Sequence, residues 1–524
     1  MASNYYEKKE EIIKLEKNIL SWYPFKKDAQ ILEINTGIEQ IQDIGLYDYI
    51  LINGIEEKEN GLEEYLVFAK QHLKENGTIL FTVDNKFGIQ NTKTNPEYKV
   101  DDKNRNLMSK EQIEEILKKQ EFKNYKFYYP LPNYKIANII FTDQILPNCA
   151  TIYRDLTLYD ENDILIFDER KVYKDIITEN AELFKLFANS YLVEVSNKEE
   201  NNIGLICFGN SRKEKYRMKT VISDKYVYKQ NMYECGKEHL QNIKNNIDIL
   251  NKLKINTLDT YEEDKIISKL IKETPTLDKV LIELFEKQEY EQFDKLIEKF
   301  IVFINEKLNI MQNKNKITVF EKYNISIDEK IKNKLHYTEY GLYDLIFQNC
   351  FYMQNEFYFF DQEWREENIP IEFILYRAIF FLSNSKSEID TKALYKKFNL
   401  TEYLKIFETL ENVLQKQIKD EQIWTRHAMN NTTVTDVYNK KVHYRNLKSI
   451  AEKELEEEKK SKTEEIKGKD ELIQKKDKQI KELTQKINYM QNSKSWKATK
   501  FLRVIKSKMS SERKRIQNGT KKKS

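Results

Sequence analysis

Along this chain the apolar positions change period several times. Gln30-Ile31-Leu32-Glu33-Ile34 reads as a short buried strand and Tyr47–Ile52 as a second. A helix over 61–74 and a turn at Gly77 lead into a third strand, Thr78–Val83. The runs Asp163–Phe167, Leu205–Phe208, Tyr216–Ile222 and Lys225–Lys229 have the length and composition of paired antiparallel strands. The period then lengthens to that of amphipathic helices over 276–312, before a strand-like Phe357–Phe360. Over 446–492 there is no proline, and Ile466, Ile473, Ile480 and Ile487 recur every seventh residue. Leu483 and Met490 occupy the matching d positions and Lys469 and Lys476 the earlier ones, so a coiled-coil seam is expected to be firm over its last two heptads. The pattern predicts an α/β region, an α+β region and a C-terminal rod.

Composition sharpens this picture in three places. The 524 residues are 40% hydrophobic and 12% aromatic, enough for two or three folded domains, while 33% charged residues imply long solvated helices as well. Cys149, Cys207, Cys235 and Cys350 are far apart and form no CxxC pair, which argues against a disulfide framework or a zinc site and fits a reducing cytoplasm. His72, His336, His427 and His443 show no metal-ligand spacing. No run of apolar residues has the length of a signal-peptide core or a membrane span. The charge is polarised: residues 493–524 carry twelve Lys or Arg against Glu512 alone, a net +11 that leaves −8 for the rest of a chain whose total is +3.

Behind the first strand comes Asn35-Thr36-Gly37-Ile38-Glu39, where a nucleotide-type fold turns toward its first helix. This resembles motif I of class I S-adenosylmethionine methyltransferases, with Glu33 as the terminal acid and Gly37 as the surviving glycine, while Asn35 and Glu39 stand at the other glycine positions. The strands at 47–52 and 78–83 resemble that family's fourth and fifth, so the two elements that normally intervene, including the strand whose acid holds the ribose, are absent. The segments Asp84-Asn85-Lys86-Phe87-Gly88 and Tyr128 to Lys135 resemble those of methyltransferases encoded with bacterial glycan genes. The resemblance implies a truncated Rossmann-like domain in which Glu33 and Gly37 are vestiges and S-adenosylmethionine binding is doubtful.

In the middle region Val227-Tyr228-Lys229 ends a strand and precedes a helical stretch with Glu234, Glu238 and His239, the layout in which a kinase N-lobe places its phosphate-binding lysine. Downstream, Asp344 and Asn349 are spaced D-x4-N, and Asp361 follows twelve residues later at the end of a strand. Phosphoryl transfer needs such a set: Asp344 to accept the hydroxyl proton, and Asn349 and Asp361 to hold Mg2+ across the phosphates of ATP. The expected phosphate turn, Gly209-Asn210-Ser211-Arg212-Lys213, has one glycine, and Gln362-Glu363 follows Asp361 in place of Phe-Gly. Together with Ile369-Pro370 and Leu375 to Ile379, these segments resemble the kinase-like part of bacterial bifunctional methyltransferase/kinase proteins, among them the O-antigen chain terminators, over residues 30 to about 390.

The fold class expected is therefore α/β plus α+β: a truncated methyltransferase-like domain at 1–150, a protein-kinase-like domain at 151–445 with lobes at about 160–250 and 255–445, a coiled coil at 446–492 and a basic amphipathic tail at 493–524. The resemblance implies an ATP-dependent phosphotransferase of surface-polysaccharide assembly, with Mg-ATP as cofactor and a glycan or glycolipid as acceptor. It would stand at the inner face of the membrane beside a glycosyltransferase complex. Alternatives are an inactive pseudo-methyltransferase/pseudokinase scaffold for such a complex and a glycan methyltransferase. The heptads point to a homo-oligomer. In the tail, Trp496, Phe501, Leu502 and Ile505 interleave with cations, which points to an anionic membrane surface more than to nucleic acid. The Ser-Trp-Lys-x-Thr-Lys-x-Leu-Arg run at 495–503 also resembles the sequence that closes coiled-coil regions in bacterial glycan glycosyltransferases and methyltransferases.

Overall fold

A computed structural model describes residues 19–34, 37–38, 41, 45–55, 61–90, 107–149, 151–152, 169–196, 201–308, 317–386, 388–420 and 434–520. Asn35, Thr36 and Glu39 of the glycine-poor turn and the run Asp163–Phe167 lie outside them. The chain forms two compact units, Met1–Val434 and Thr435–Ser524.

The first unit is organised by a mixed sheet of eleven strands: β1 (Ile31–Ile34), β2 (Tyr47–Ile52), β3 (Leu73–Asp84), β4 (Tyr125–Leu131), β5 (Ile139–Thr142), β6 (Ser190–Ser196), β7 (Ile203–Phe208), β8 (Met218–Ser223), β9 (Tyr226–Asn231), β11 (Asp259–Tyr261) and β12 (Ile266–Lys269). The spatial order is β1-β2-β3-β6-β4-β5-β7-β8-β9-β12-β11. The first three strands are parallel, and β6 inserts antiparallel between β3 and β4. Strand β1 is therefore an edge, and Glu33 on it is exposed. A helix, α1 (Leu62–His72), makes the crossover between β2 and β3, and its Leu62, Tyr65, Leu66 and Ala69 pack on the sheet at the spacing of one helical face. The helix α2 (Lys110–Lys119) starts where Ser109 accepts from the Gln112 amide while Gln112 returns a bond to Ser109, two free helix-end donors satisfied at once.

Because β5 pairs with β7, the sheet passes without a break across residue 150. The antiparallel strands β7 to β9 run in chain order, then a helix, α4 if α3 (Glu169–Glu179) is counted, spans Lys237–Lys252 before the chain returns as β11 and β12. Lys229 on β9 faces Ile266 on β12 in register, so this sheet extends to Lys269, past the limit of about 250 that the sequence suggested for the smaller lobe. Asn256–Thr257 (β10) pairs elsewhere, with the hairpin described below.

A second core lies beyond the sheet. Helices α5 (Leu277–Glu286) and α6 (Tyr290–Lys307) bury Leu281, Phe293, Ile297, Phe300 and Ile304 against Leu345, Phe347 and Phe359, and α7 (Ile371–Ser385) and α8 (Leu404–Ile418) close the same core. The Thr435–Ser524 unit consists of α9 (Val434–Asn492), α10 (Lys494–Ala498) and α11 (Lys500–Thr520). Among the described residues no helix is long and apolar enough to cross a membrane.

Candidate functional site

Alternation along β8, β9 and β12 puts Ile222, Val227, Lys229, Ile266 and Ser268 on one face of the sheet, because Ile222 pairs with Val227, Val227 with Ser268 and Lys229 with Ile266. That face forms one wall of a cavity of about 210 Å³. Phe351 and Phe360 line the facing side, and Lys229, Asp259 and Asp361 form its polar end.

A two-residue hairpin explains how residues twelve positions apart reach one point. Strands β13 (Cys350–Met353) and β14 (Glu356–Phe359) pair directly around Gln354 and Asn355, both with positive φ, 51° and 68°. That is the backbone twist a tight hairpin demands. Asn349 thus sits at one foot and Asp361 at the other: the Phe360 amide donates to the Asn349 carbonyl at 3.1 Å, and Asn349 Nδ2 lies 3.2 Å from the Asp344 carbonyl and 3.5 Å from that of Asp361. With Nδ2 spent on main-chain oxygens, the amide oxygen is the atom left to hold a cation. Asp361 is left-handed at φ 58°, a conformation that costs a non-glycine residue of order 1 kcal/mol. Its amide is fixed by Asp259 Oδ2 at 2.8 Å.

Lys229 donates to Asp361 and, at 2.5 Å, to Glu363 Oε1. Arg212, from the turn between β7 and β8, donates to the other oxygen of Glu363. Burial works against the charge on Lys229, but Asp361 and Glu363 outweigh it and raise the ammonium above its ordinary value. Burial likewise opposes ionisation of Glu363, and Arg212 and Lys229 overcome it, holding that carboxyl well below the usual carboxylate range. His239 stacks on Trp364 with ring centroids 4.6 Å apart, and burial depresses it to about 4. Burial pushes Asp259 up to about 6.

Asp344 lies in a segment whose Leu342, Tyr343, Leu345, Ile346 and Phe347 are all buried, which is why its position is rigid. Its Oδ2 accepts from the Trp364 amide at 3.2 Å, and Arg377 Nη2 is 3.6 Å from Oδ1. Burial raises Asp344 to about 7, with Arg377 opposing the rise. The Gly209–Lys213 turn is pinned from outside: Lys213 N donates to Ile418 O at 2.8 Å and Asp420 N to Ser211 O at 3.1 Å.

Of the residues singled out from sequence, Lys229, Asp344, Asn349 and Asp361 come together here. Glu33 and Gly37 do not, since β1 is eight strand positions from β9, on the order of 35 Å along a sheet. The helix acids do not serve Lys229 either: Glu234 pairs with Lys237 in solvent, and the buried residues of that helix's first turn are His239 and Leu240. Glu363, Asp259 and Arg377 belong to this site and were not assigned roles from sequence, and Arg212, read there as part of the phosphate turn, pairs instead with Glu363; the local signal was Asp361-x-Glu363, an unusual pair of acids at a strand end. Among the described residues no group of three or more His, Cys, Asp or Glu forms a metal cage. One carboxylate and one amide oxygen are what the protein offers, a donor set that suits a hard cation completed by phosphate oxygens and water.

No protein-family model matches the chain, and no curated protein does. Solved structures similar to it include a SAM-dependent methyltransferase, a possible histamine N-methyltransferase from Thermotoga maritima, at 14% identity and TM-score 0.23, covering 37% of this chain and 96% of that one. They also include LicA in complex with AMP, at 14% identity and TM-score 0.25, covering 51% of this chain and 96% of that one. The reading of the site rests on its own geometry.

Proposed function

We propose that the chain is an ATP-dependent phosphotransferase acting on a hydroxyl of a glycan or glycolipid in bacterial surface-polysaccharide assembly. The observation that carries the nucleotide half is the convergence of Lys229 and Asp361 in the lining of an apolar slot, with Asn349 beside Asp361. The slot's apolar lining suits a planar heterocycle, and its charged residues suit phosphates. Asp361 and the Asn349 amide oxygen are the residues to hold Mg2+, which neutralises phosphate charge when bound. Lys229 then moves from Asp361 toward phosphate while Glu363 keeps it oriented. Asp344, raised to about 7 by burial, is suited to accept the acceptor's proton near neutral pH. The glycan half is supported by the order of sequence segments resembling bifunctional glycan-modifying proteins.

A second reading, a nucleotide-binding scaffold without turnover, is favoured by the Asp344 carboxylate already being occupied by the Trp364 amide and flanked by Arg377. Transfer of labelled γ-phosphate from ATP to sugar acceptors, with wild type beside Asp344→Asn, separates the two. Label in acceptor that Asp344→Asn reduces at least a hundredfold supports the phosphotransferase, and ATP binding without labelled product in any acceptor or as free phosphate supports the scaffold.

A further inference from the structure

The second unit ends in a helix whose apolar side has no cover. On α11, Phe501 is 74% exposed, Leu502 65% and Met509 56%, and Val504 and Ile505 are exposed as well. At 100° per residue these five fall within an arc of about 160°. Lys500, Arg503, Lys506, Ser507, Ser510 and Ser511 occupy the remainder. Over 500–512, Lys508 and Glu512 are the charged residues inside the arc, and a lysine there can extend its stem along an apolar surface and its ammonium outward.

The chain also has a device that separates this helix from the long rod. α9 stops at Asn492, and Ser493 caps a single helical turn by accepting from the Trp496 amide at 3.2 Å. The Arg503 guanidinium lies 3.7 Å from the centroid of the Trp496 ring and donates to Thr499 Oγ1 at 2.8 Å and to the Trp496 carbonyl. Thr499 in turn bonds the Ser495 carbonyl at 2.8 Å. Ser493, Trp496, Thr499 and Arg503 thus form one closed knot at the break between the rod and α11.

We infer that α11 is an in-plane docking helix for an anionic lipid bilayer, with Phe501, Leu502, Ile505 and Met509 entering the acyl boundary and the cations of 493–524 meeting headgroup phosphates. Three observations select this occupant. The apolar arc is broad and convex, with aromatic and aliphatic side chains standing free, and a bilayer needs no matching groove. The twelve cations against one acid in 493–524 complement an anionic surface. A nucleic-acid duplex would engage the cations but leave the exposed Phe501, Leu502 and Ile505 in water.

The test is vesicle sedimentation with the full chain, using phosphatidylcholine alone and phosphatidylcholine with about one-third phosphatidylglycerol. The wild type is expected to pellet with the anionic vesicles, at least tenfold more than with the neutral ones. Leu502→Asp/Ile505→Asp, two exposed positions, should lose that binding while keeping the wild-type melting temperature. Wild type left in the supernatant with anionic vesicles overturns the inference. So does a double variant that pellets like the wild type, or one whose binding to a DNA duplex equals that of a wild type indifferent to vesicles.

Discussion

The Nζ of Lys229 meets Oε1 of Glu363 at 2.5 Å, the lysine half-buried and the glutamate only 3% exposed. The lysine on β9 is therefore matched by an acid from the Asp361 segment across the cavity and not by one from the helix that follows it. Because Arg212 and Asp361 join the same cluster, two cations and two anions balance around the buried Glu363.

Breaking that balance on one side leaves each remaining charge with one partner fewer. Lys229→Ala and Glu363→Gln are each expected to destabilise the fold by about 3 kcal/mol. The double substitution should cost clearly less than the sum, since the two act on one interaction. Urea unfolding of the four proteins measures this, and strictly additive losses would show that the pair is not coupled.

Asp344 gives a pH dependence with a definite sign. Its folded value of about 7 lies above the ordinary carboxylate value of 3.8, so between those values the folded state holds the proton that the unfolded state has released. Stability then falls as pH rises across that window. Asp344→Asn should flatten this slope, and its advantage over wild type should grow from about pH 4 to about pH 7. In the phosphotransferase reading, the wild-type rate rises through about pH 7 as the base ionises. Equal pH profiles of stability for the two proteins contradict the assignment.

His239, held at about 4 by burial beneath Trp364, should stay neutral across the physiological range. NMR of ring-labelled histidine should show one imidazole with no titration above about pH 5. Its signal is identified by its loss in His239→Gln.

Ile480 and Ile487 stand 60% and 52% exposed on α9. Ile480→Asp/Ile487→Asp is expected to convert an oligomer to a monomer in light scattering, and an unchanged mass would remove the coiled coil as the means of association.

Local pattern made part of this legible. The strands at 47–52 and 205–208, the helix before β3 and the helical rod follow from period and length; Asp344, Asn349 and Asp361 are singled out by their spacing, and Lys229 by its place at the end of a strand. Long-range pairing was not legible. That β5 joins β7, fusing two expected domains through one sheet, depends on contacts between residues some sixty positions apart. Arg212 and Glu363 meet only because the turn after β7 folds over the far side of the cavity, a distance of 151 residues along the chain. Glu33 and Gly37 illustrate the opposite case: a recognisable turn motif whose strand, at the edge of the sheet, stands far from the charged cluster.

The central claim is that Lys229 and Asp361 mark a magnesium–nucleotide site, and thermal shift with ATP, with and without Mg2+, tests it most directly when wild type is run beside Lys229→Ala and Asp361→Asn. The account predicts Mg2+-dependent stabilisation of the wild type that both substitutions abolish. No ATP-induced shift in the wild type, or a shift that both variants retain in full, would contradict it.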